Sequence, residues 1–399
     1  SALSATVVAL ACLATPAQAQ APANASVALP AAANNAASVT APQVVAHYAH
    51  LVHSNYSDTL AAAKAMQTAI SAFTSQPSAA TLAEARKTWL AAREFYGQTE
   101  AFRFYGGPID NDNGPEGRIN AWPMDESFVD SVQGKASAGL VNNRKFVINK
   151  KNLSAQNERG GEENIATGWH AIEFFLWGQD LLETGPGERN FEDFVDGKAP
   201  NADRRRQYLN VVTELLIDDL TSLVKAWAPD AKNNYRARFV KGNRESLRKM
   251  LVGLGSLSRG ELAGERLEVA LNSQDQEDEH SCFSDNTHRD IVANATGIEN
   301  VWLGRFKRAD GSVLQGVSLR DLVALKDPAT AERTSSHIAA SVQAAVAIQA
   351  PFDREIVDTE GRRRVQAVAD ALKLQSKDFL DAAKAVGITK LTLVDPAKE

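Results

Sequence analysis

Apolar residues recur every three or four positions along most of this chain, which is the pattern of α-helices that bury one face. In residues 43–74, for example, Val45, Tyr48 and Val52 fall on one side of a helix. The alternation typical of strands is weak and confined to residues 145–148 and 391–394. We therefore predict an all-α protein. Eight long helices are expected near residues 43–74, 79–104, 163–183, 203–228, 243–271, 288–305, 329–349 and 360–385.

The length of the chain argues for more than one core, because 399 residues exceed what a single ordinary core accommodates. A faint internal repeat supports two related halves. The segments Ala166-Thr167-Gly168 and Ala295-Thr296-Gly297 are each expected to open a helix, and a triplet of Trp, Leu and Gly to close it. We predict two four-helix-bundle-like domains, residues 42–232 and 233–399, with a cleft between them.

The first forty residues differ in composition from the rest. Residues 1–19 are small and apolar and end in possible cleavage sites, so we interpret them as a signal peptide whose basic n-region is missing. Residues 20–41 are rich in Ala, Asn and Pro and are expected to form a disordered tether. A lipid anchor on Cys12 is the weaker alternative, because Ala9-Leu10-Ala11 is a poor lipobox.

Charge and motif content argue against several function classes. The net charge is −6 with acidic and basic residues interspersed, so no basic stripe is present to bind nucleic acid. The His-Glu-x-x-His zinc-protease motif is absent, and its inverted form would need a histidine where Phe174 stands. A nucleophile elbow and a Gly-rich phosphate loop are also missing.

The sharpest chemical feature is a histidine and a glutamate one helical turn apart. His170 and Glu173 project from one helix face, and imidazole with carboxylate at this spacing chelates iron, manganese or zinc in helical bundles. The surrounding residues are apolar nearly all round, so the helix is expected to be buried. The alternative is that the two side chains pair with each other, or that Glu173 meets Arg93 or Arg103.

Glu100 is a candidate third ligand. On a helical wheel it falls near the stripe of Trp89 and Tyr96, so it points inward. It could face His170 across the bundle, or it could pair with an internal arginine. The sequence leaves both alternatives open.

The second half carries further groups with ligand chemistry. Three glutamates lie on the core side of one predicted helix, where they form either a salt-bridge network or a second metal position. A following acidic loop holds histidine, cysteine and aspartate without a standard zinc spacing, and these could shape the mouth of the site. The glutamates are Glu261, Glu265 and Glu268, and the loop residues include His280, Cys282, Asp285 and His288.

These features together resemble the imelysin family, which includes insulin-cleaving metalloproteinases and periplasmic proteins of the iron-regulated protein A type. The resemblance covers about residues 43–385 and depends first on the Gly-x-His-x-x-Glu pattern of Gly168, His170 and Glu173. The supporting segments are residues 104–110, 121–126, 260–266 and 278–288. The resemblance implies an all-α fold, metal binding at His170 and Glu173, and a periplasmic or cell-surface location, often in iron uptake.

We therefore expect a periplasmic iron-binding protein for iron uptake or sensing, with zinc or manganese as other possible metals. Its partners would be the metal ion and a membrane iron transporter or outer-membrane protein. A zinc-dependent peptidase and a metal-free interaction module are the alternatives. The expected ligands are His170, Glu173 and Glu100, with Asp125 and Glu265 closing the site. Around them we expect Arg93, Arg103, Trp122, Glu261, Glu268, His280, Cys282 and Asp285.

Overall fold

The structure is a computed structural model that describes residues 39–394. The predicted signal peptide, Cys12 and the tether as far as residue 38 lie outside the described residues. The last predicted tether residue, Ala41, is already helical. From Val39 onward the chain forms a single compact unit. Within residues 39–394, every helix is too short or too polar to cross a bilayer.

Helices dominate residues 39–394, as the apolar periodicity predicts. In chain order they are α1 (Ala41–Ser75), α2 (Ala79–Thr99), α3 (Glu116–Asn120), α4 (Glu126–Val129), α5 (Gly139–Asn142), α6 (Lys150–Gln156), α7 (Gly168–Trp177), α8 (Ala202–Trp227), α9 (Tyr235–Phe239), α10 (Arg244–Ser256), α11 (Val269–Ser273), α12 (Thr287–Leu303), α13 (Leu319–Ala324), α14 (Pro328–Ala347), α15 (Phe352–Val357) and α16 (Thr359–Ala385). A π-helix, Leu257–Glu268, joins α10 to α11, and short 3-10 helices span Glu100–Phe102, Phe191–Phe194 and Gln276–Asp278.

One small hairpin interrupts the helices. Strands β1 (Arg305–Lys307) and β2 (Val313–Gln315) pair antiparallel, with Arg305 opposite Gln315. Both predicted strand candidates are wrong, because residues 145–148 form a turn, a bend and irregular chain, and residues 391–394 have no strand pairing. Strands of three residues are too short for a clear two-residue alternation, so the sequence pattern could not indicate the hairpin.

The long helices pack in an order that brings the two halves of the chain together. In the first half α1 packs against α2 and α8, and in the second half α14 packs against α12 and α16. Helices α2 and α12 then contact each other directly. A Cβ on Gly297 would lie 2.3 Å from the carbonyl oxygen of Gln98, so this close approach requires glycine. The predicted boundary at residues 232–233 falls between α8 and α9, and the division into two domains stays a prediction.

The two copies of the faint repeat end alike but begin differently. Helices α7 and α12 are both followed by a glycine with positive φ, Gly178 at 75° and Gly304 at 62°. Gly168 opens α7, whereas Gly297 lies in the middle of α12. The expectation that both triplets open a helix is therefore wrong for the second copy.

Helix α7 is shorter than the predicted 163–183 because a glycine bounds it at each end. Gly168 has φ +85°, and a Cβ there would lie 2.4 Å from the carbonyl oxygen of Ile119. Every residue from Gly168 to Trp177 is buried, as the apolar sequence predicts. The helix that carries His170 and Glu173 is thus fixed in position by packing on all sides.

The geometry of the π-helix brings two charged side chains of the second half, Glu261 and Arg266, into contact. In a π-helix the hydrogen bonds join residues five apart, so side chains at that spacing come close together. Glu261 and Arg266 are five apart, and Arg266 Nη2 donates to Glu261 Oε1 at 2.7 Å. Both are buried, and Arg266 is only 1% exposed.

Candidate functional site

His170 and Glu173 contact each other at the centre of the molecule. His170 Nδ1 lies 2.8 Å from Glu173 Oε2, and both side chains are buried. The other carboxylate oxygen, Oε1, accepts from the backbone N–H of Ser284 at 2.9 Å and from its hydroxyl at 2.6 Å. Ser284 precedes α12, so Glu173 connects α7 to the acidic loop of the second half.

The tautomer of His170 follows from the ionised form of Glu173. Ser284 supplies two donors to one carboxylate oxygen and the other oxygen faces Nδ1, so with Glu173 ionised the matching arrangement is Nδ1–H donating to Glu173. The lone pair of the imidazole is then on Nε2. Among the described residues, Nε2 is buried and has no hydrogen-bond partner.

Burial controls the protonation of this pair. Burial, with a further contribution from the nearby charge of Arg93, lowers the pKa of His170 to about 3, so the imidazole is neutral at pH 7. Burial raises the pKa of Glu173 to about 7, although the two bonds from Ser284 oppose this shift. A neutral imidazole is the form that binds a metal ion.

A small cavity lies beside the pair. Its volume is about 10 Å³, which is room for one water molecule or one metal ion. The His280 ring lies against it, with its centroid 5.1 Å from the His170 ring and 5.2 Å from Trp122. The lining residues are Trp122, Pro123, Met124, His170, Glu173, Glu277, Glu279, His280, Cys282 and Phe283.

Other polar atoms at this cavity also lack partners. Both oxygens of the buried Glu279 carboxylate and Nδ1 of His280 have no hydrogen bond of normal geometry among residues 39–394. The Thr287 hydroxyl interacts with the Glu279 carboxyl group, and Asp290 Oδ2 lies 3.7 Å from His280 Nδ1. Burial raises the pKa of the Cys282 thiol, which is therefore protonated.

Glu100 is held by arginines. It accepts from Arg103 at 2.6 Å, from Arg266 at 3.2 Å and from Asn120 at 2.8 Å. Burial alone would raise the pKa of Glu100, but Arg266 and Arg103 outweigh burial and lower it to about 2. Glu100 thus forms the internal ion pair that was one of the two alternatives. It makes no hydrogen bond to His170 or Glu173.

This buried ion network reaches the cavity through Asn120. The side-chain nitrogen of Asn120 contacts both Glu100 and His280 Nε2, the latter at 3.2 Å. Arg93 donates to Asn120 at 2.7 Å and pairs with Asp290 at 3.1 Å. On the other side of Glu100, Glu261 pairs with Arg266 at 2.7 Å and with Arg103 at 3.5 Å. Arg93, Arg103 and Glu261 therefore belong to the network that supports the cavity.

The remaining predicted site residues lie elsewhere. Asp125, expected to close the site, is the N-cap of α4 and accepts from the backbone and hydroxyl of Ser127. Glu268 pairs with Lys373 on α16. Glu265 is half-buried on the π-helix, and neither it nor Asp125 lines the cavity. Asp285 has left-handed backbone geometry beside Ser284, and its side chain lies near Asp180.

Several residues that complete the site were missed in the sequence. Ser284 and Asn120 are polar residues with no spacing relation to α7, so no local pattern indicates their role. Glu279 and Glu277 stand in the acidic loop whose His280 and Cys282 were already candidates. The signal that could have found them is their place beside His280, in a loop expected to be ordered.

The chemical types of the donor atoms suit a metal ion, but their positions do not form a coordination shell. Unpartnered imidazole nitrogens and a buried carboxylate at one cavity suit iron, manganese or zinc. In the conformation described for residues 39–394, however, no group of three His, Cys, Asp or Glu side chains converges as a complete coordination shell. His170 Nε2 is the atom best prepared to bind, because its tautomer is fixed by Glu173 and its ring is held by packing.

The sequence profile identifies the family. The sequence profile described as imelysin matches residues 52–379, and the chain belongs to the imelysin family. The all-α prediction and the resemblance are thereby confirmed.

Individual relatives are similar to this protein over most of its length. The protein named iron-regulated protein A from Synechococcus elongatus is 27% identical over 337 residues, which cover 80% of this chain and 81% of that protein. A crystal structure described as an iron-regulated protein A precursor, from Parabacteroides distasonis, has a TM-score of 0.68 at 20% identity and covers 88% of this chain and 97% of its own. An imelysin-like protein from Psychrobacter arcticum has a TM-score of 0.62 at 13% identity, with 88% and 98% covered. At these identities the two structures show a shared fold.

Proposed function

We propose that this protein binds a transition-metal ion, iron, in the cavity beside His170. The observation that supports the proposal is a buried histidine whose Nδ1 lies 2.8 Å from Glu173 Oε2 and whose Nε2 has no hydrogen-bond partner among the described residues. An unpaired buried nitrogen costs free energy, about 1–3 kcal/mol, unless a ligand or water satisfies it. A metal ion at this cavity would remove that cost.

The chain's own residues then have distinct roles. His170 Nε2 is the proposed ligand, and Glu173 orients the imidazole as carboxylates commonly do beside metal-bound histidines. Ser284 in turn fixes Glu173, so the second half of the chain controls the orientation of the ligand. Glu279 and His280 line the same cavity and offer further unpartnered donors. When bound, the ion would supply positive charge and Lewis acidity at this point.

The donor chemistry favours iron or manganese. The candidate donors are imidazole nitrogen and carboxylate oxygen, while the one cysteine at the cavity carries a protonated thiol. The relative from Synechococcus elongatus is named for regulation by iron, which supports iron over manganese. Zinc remains the third metal to be compared in the same assay.

We propose further that the protein acts outside the cytoplasm, in the periplasm, in iron uptake or sensing, and exchanges the ion with a membrane iron transporter or an outer-membrane partner. The apolar residues 1–19 support export, and the name of the relative supports the link to iron. Growth of a deletion strain under iron limitation tests this role. Wild-type growth and iron content in that strain would contradict it.

Metal titration of the purified protein tests the proposed site. Fe²⁺ is titrated under anaerobic conditions, with Mn²⁺ and Zn²⁺ in parallel, and bound metal is measured by elemental analysis. We expect one tightly bound ion in the wild type and at least a hundredfold weaker binding in His170→Ala. His50→Ala, which removes an exposed histidine of α1, is the matched control and should bind like the wild type. Wild-type affinity in His170→Ala would contradict the proposal.

A further inference from the structure

A second, larger pocket lies next to the site of the proposed metal ion. It has a volume of about 820 Å³ and is formed by the loop after α7, the segment from Ser273 to Glu277, and α15. Two side-chain hydrogen bonds hold its walls together, from Gln276 to the carbonyl of Asp180 at 2.6 Å and from Gln274 to the carbonyl of Ile356 at 3.3 Å. We call it the acidic pocket, after its charged lining residues Asp180, Glu183, Asp275, Glu277 and Asp353.

The negative charge of this pocket is not balanced from within. Among the described residues, none of the five acidic side chains takes part in an ion pair, and Arg354 is the one basic residue in the lining. Asp180 and Asp353 are each more than nine-tenths buried, and Asp353 Oδ1 has no hydrogen-bond partner among the described residues. The Asp180 carboxyl lies against the carboxyl group of Asp285, and neither of them meets a basic side chain in an ion pair. Buried carboxyl groups without a cation are costly to ionise, so the pocket is suited to a cation.

Exposed apolar residues surround the same charges. Leu181 is 59% exposed, Leu182 39% and Val357 50%, and all three line the acidic pocket. They make up three of the nine large apolar side chains that are exposed within residues 39–394. Apolar groups gathered on a rim around polar groups mark a binding surface. The ligand should therefore carry a positive charge next to apolar groups.

This combination favours an organic cation over a bare metal ion. Within the described residues, no three carboxylates of the pocket are arranged as a metal coordination shell. An ammonium or guanidinium group donates several hydrogen bonds to carboxylates that are spaced more widely than metal ligands. The apolar rim, moreover, would be left uncovered by an ion. The chain's own residues 1–38 contain neither Lys nor Arg, so that segment supplies no cationic side chain.

We propose that the acidic pocket is a docking site for a basic segment of a partner protein, in which a Lys or Arg side chain enters between Asp180 and Asp353 while a neighbouring apolar side chain covers Leu181 and Leu182. This inference is independent of the proposed metal site. It explains why buried carboxyl groups without an ion-pair partner and exposed leucines occur at one place on the surface.

A peptide-binding assay tests the inference. The probe is a fluorescein-labelled hexapeptide of alternating Leu and Lys, followed by fluorescence anisotropy with the full chain. We expect saturable binding that weakens with added salt and is lost when the lysines are acetylated. Asp180→Asn and Asp353→Asn should each weaken binding at least tenfold, because each removes one buried charge from the contact. Asp112→Asn, an exposed loop aspartate outside the pocket, is the control and should bind like the wild type.

Two exposed variants keep the test valid if the buried ones unfold. Glu183→Gln and Leu181→Ser change only exposed side chains, and each should weaken binding several-fold without changing the melting temperature. Equal binding by the acetylated peptide, no saturable binding, or wild-type affinity in the pocket variants would overturn the inference. Tight one-to-one binding of Ca²⁺ alone that displaces the peptide would also overturn it, in favour of a metal site.

Discussion

The substitution Glu173→Gln separates two possible roles of the motif glutamate. In the structure, Glu173 accepts from Ser284 through one oxygen, and its other oxygen lies 2.8 Å from His170 Nδ1, from which the ionised carboxylate accepts a hydrogen bond. A glutamine has the same shape and can keep the bonds from Ser284, but it then presents its NH₂ group to Nδ1. His170 would have to accept at Nδ1, and its proton would move to Nε2, the proposed ligand atom. The variant should therefore fold normally and bind metal poorly.

The size of this effect follows from the position of Glu173 behind the ligand. Removing a carboxylate that orients a metal-bound histidine costs about 10–100-fold in metal affinity, or about 1.4–2.7 kcal/mol. Loss of a residue that itself binds the metal lowers the affinity further. We expect Glu173→Gln to fall in the 10–100-fold range and His170→Ala to exceed it.

Two measurements decide this prediction. Anaerobic calorimetry with Fe²⁺ gives the affinity, and NMR of ¹⁵N-histidine-labelled protein locates the imidazole proton; with seven histidines in the chain, the assignment is tractable. We expect Nδ1–H in the metal-free wild type and Nε2–H in Glu173→Gln. Glu84→Gln, on the exposed surface of α2, is the control. Unchanged affinity in Glu173→Gln, or an Nε2–H tautomer in the wild type, would refute the reasoning.

Three further substitutions test the support of the site. Gly168→Ala places a Cβ against the Ile119 carbonyl at φ +85° and should lower stability by about 1–3 kcal/mol in urea unfolding, whereas Gly185→Ala, with open space around it, should not. Arg266→Ala leaves the buried carboxylate network short of one cation and should destabilise the protein by about 3–5 kcal/mol in the same assay; a smaller loss than about 1 kcal/mol would contradict the network. Burial and the charge of Asp180 raise the pKa of Asp285 from 3.8 to about 8, so the folded state binds more protons between these values and loses stability as pH rises through them. Thermal unfolding of Asp285→Asn should accordingly show a weaker decline from pH 5 to pH 8 than the wild type, and parallel declines would contradict the shift.

The helical framework could be predicted because it depends on the local spacing of apolar residues. Helices such as α1, α8 and α16 repeat apolar residues at 3.6-residue spacing over many turns, and their bounds agree with the prediction within a few residues. The contact between His170 and Glu173 is also local, since residues three apart on a helix are neighbours. The burial of α7 followed from its apolar surface.

The parts of the site that could not be predicted depend on contacts between distant segments. Ser284 meets Glu173 across 111 positions, and Asn120 meets His280 across 160. The sequence does not indicate whether Glu100 binds a metal ion or pairs with an arginine, because a helical wheel gives the direction of a side chain but not its partner. The π-helix has no sequence signature that separates it from an α-helix, so the pairing of Glu261 with Arg266 was hidden.

The most direct test of the central claim is a crystal structure of the protein soaked with Fe²⁺ or Zn²⁺, with anomalous data collected at the metal edge. We predict one anomalous peak in the cavity of His170, about 2.0–2.1 Å from Nε2, with Glu173 still bonded to Nδ1. A metal ion held by Glu173 itself with His170 Nε2 left free, or a cavity that stays empty while the crystals bind metal elsewhere, would contradict it.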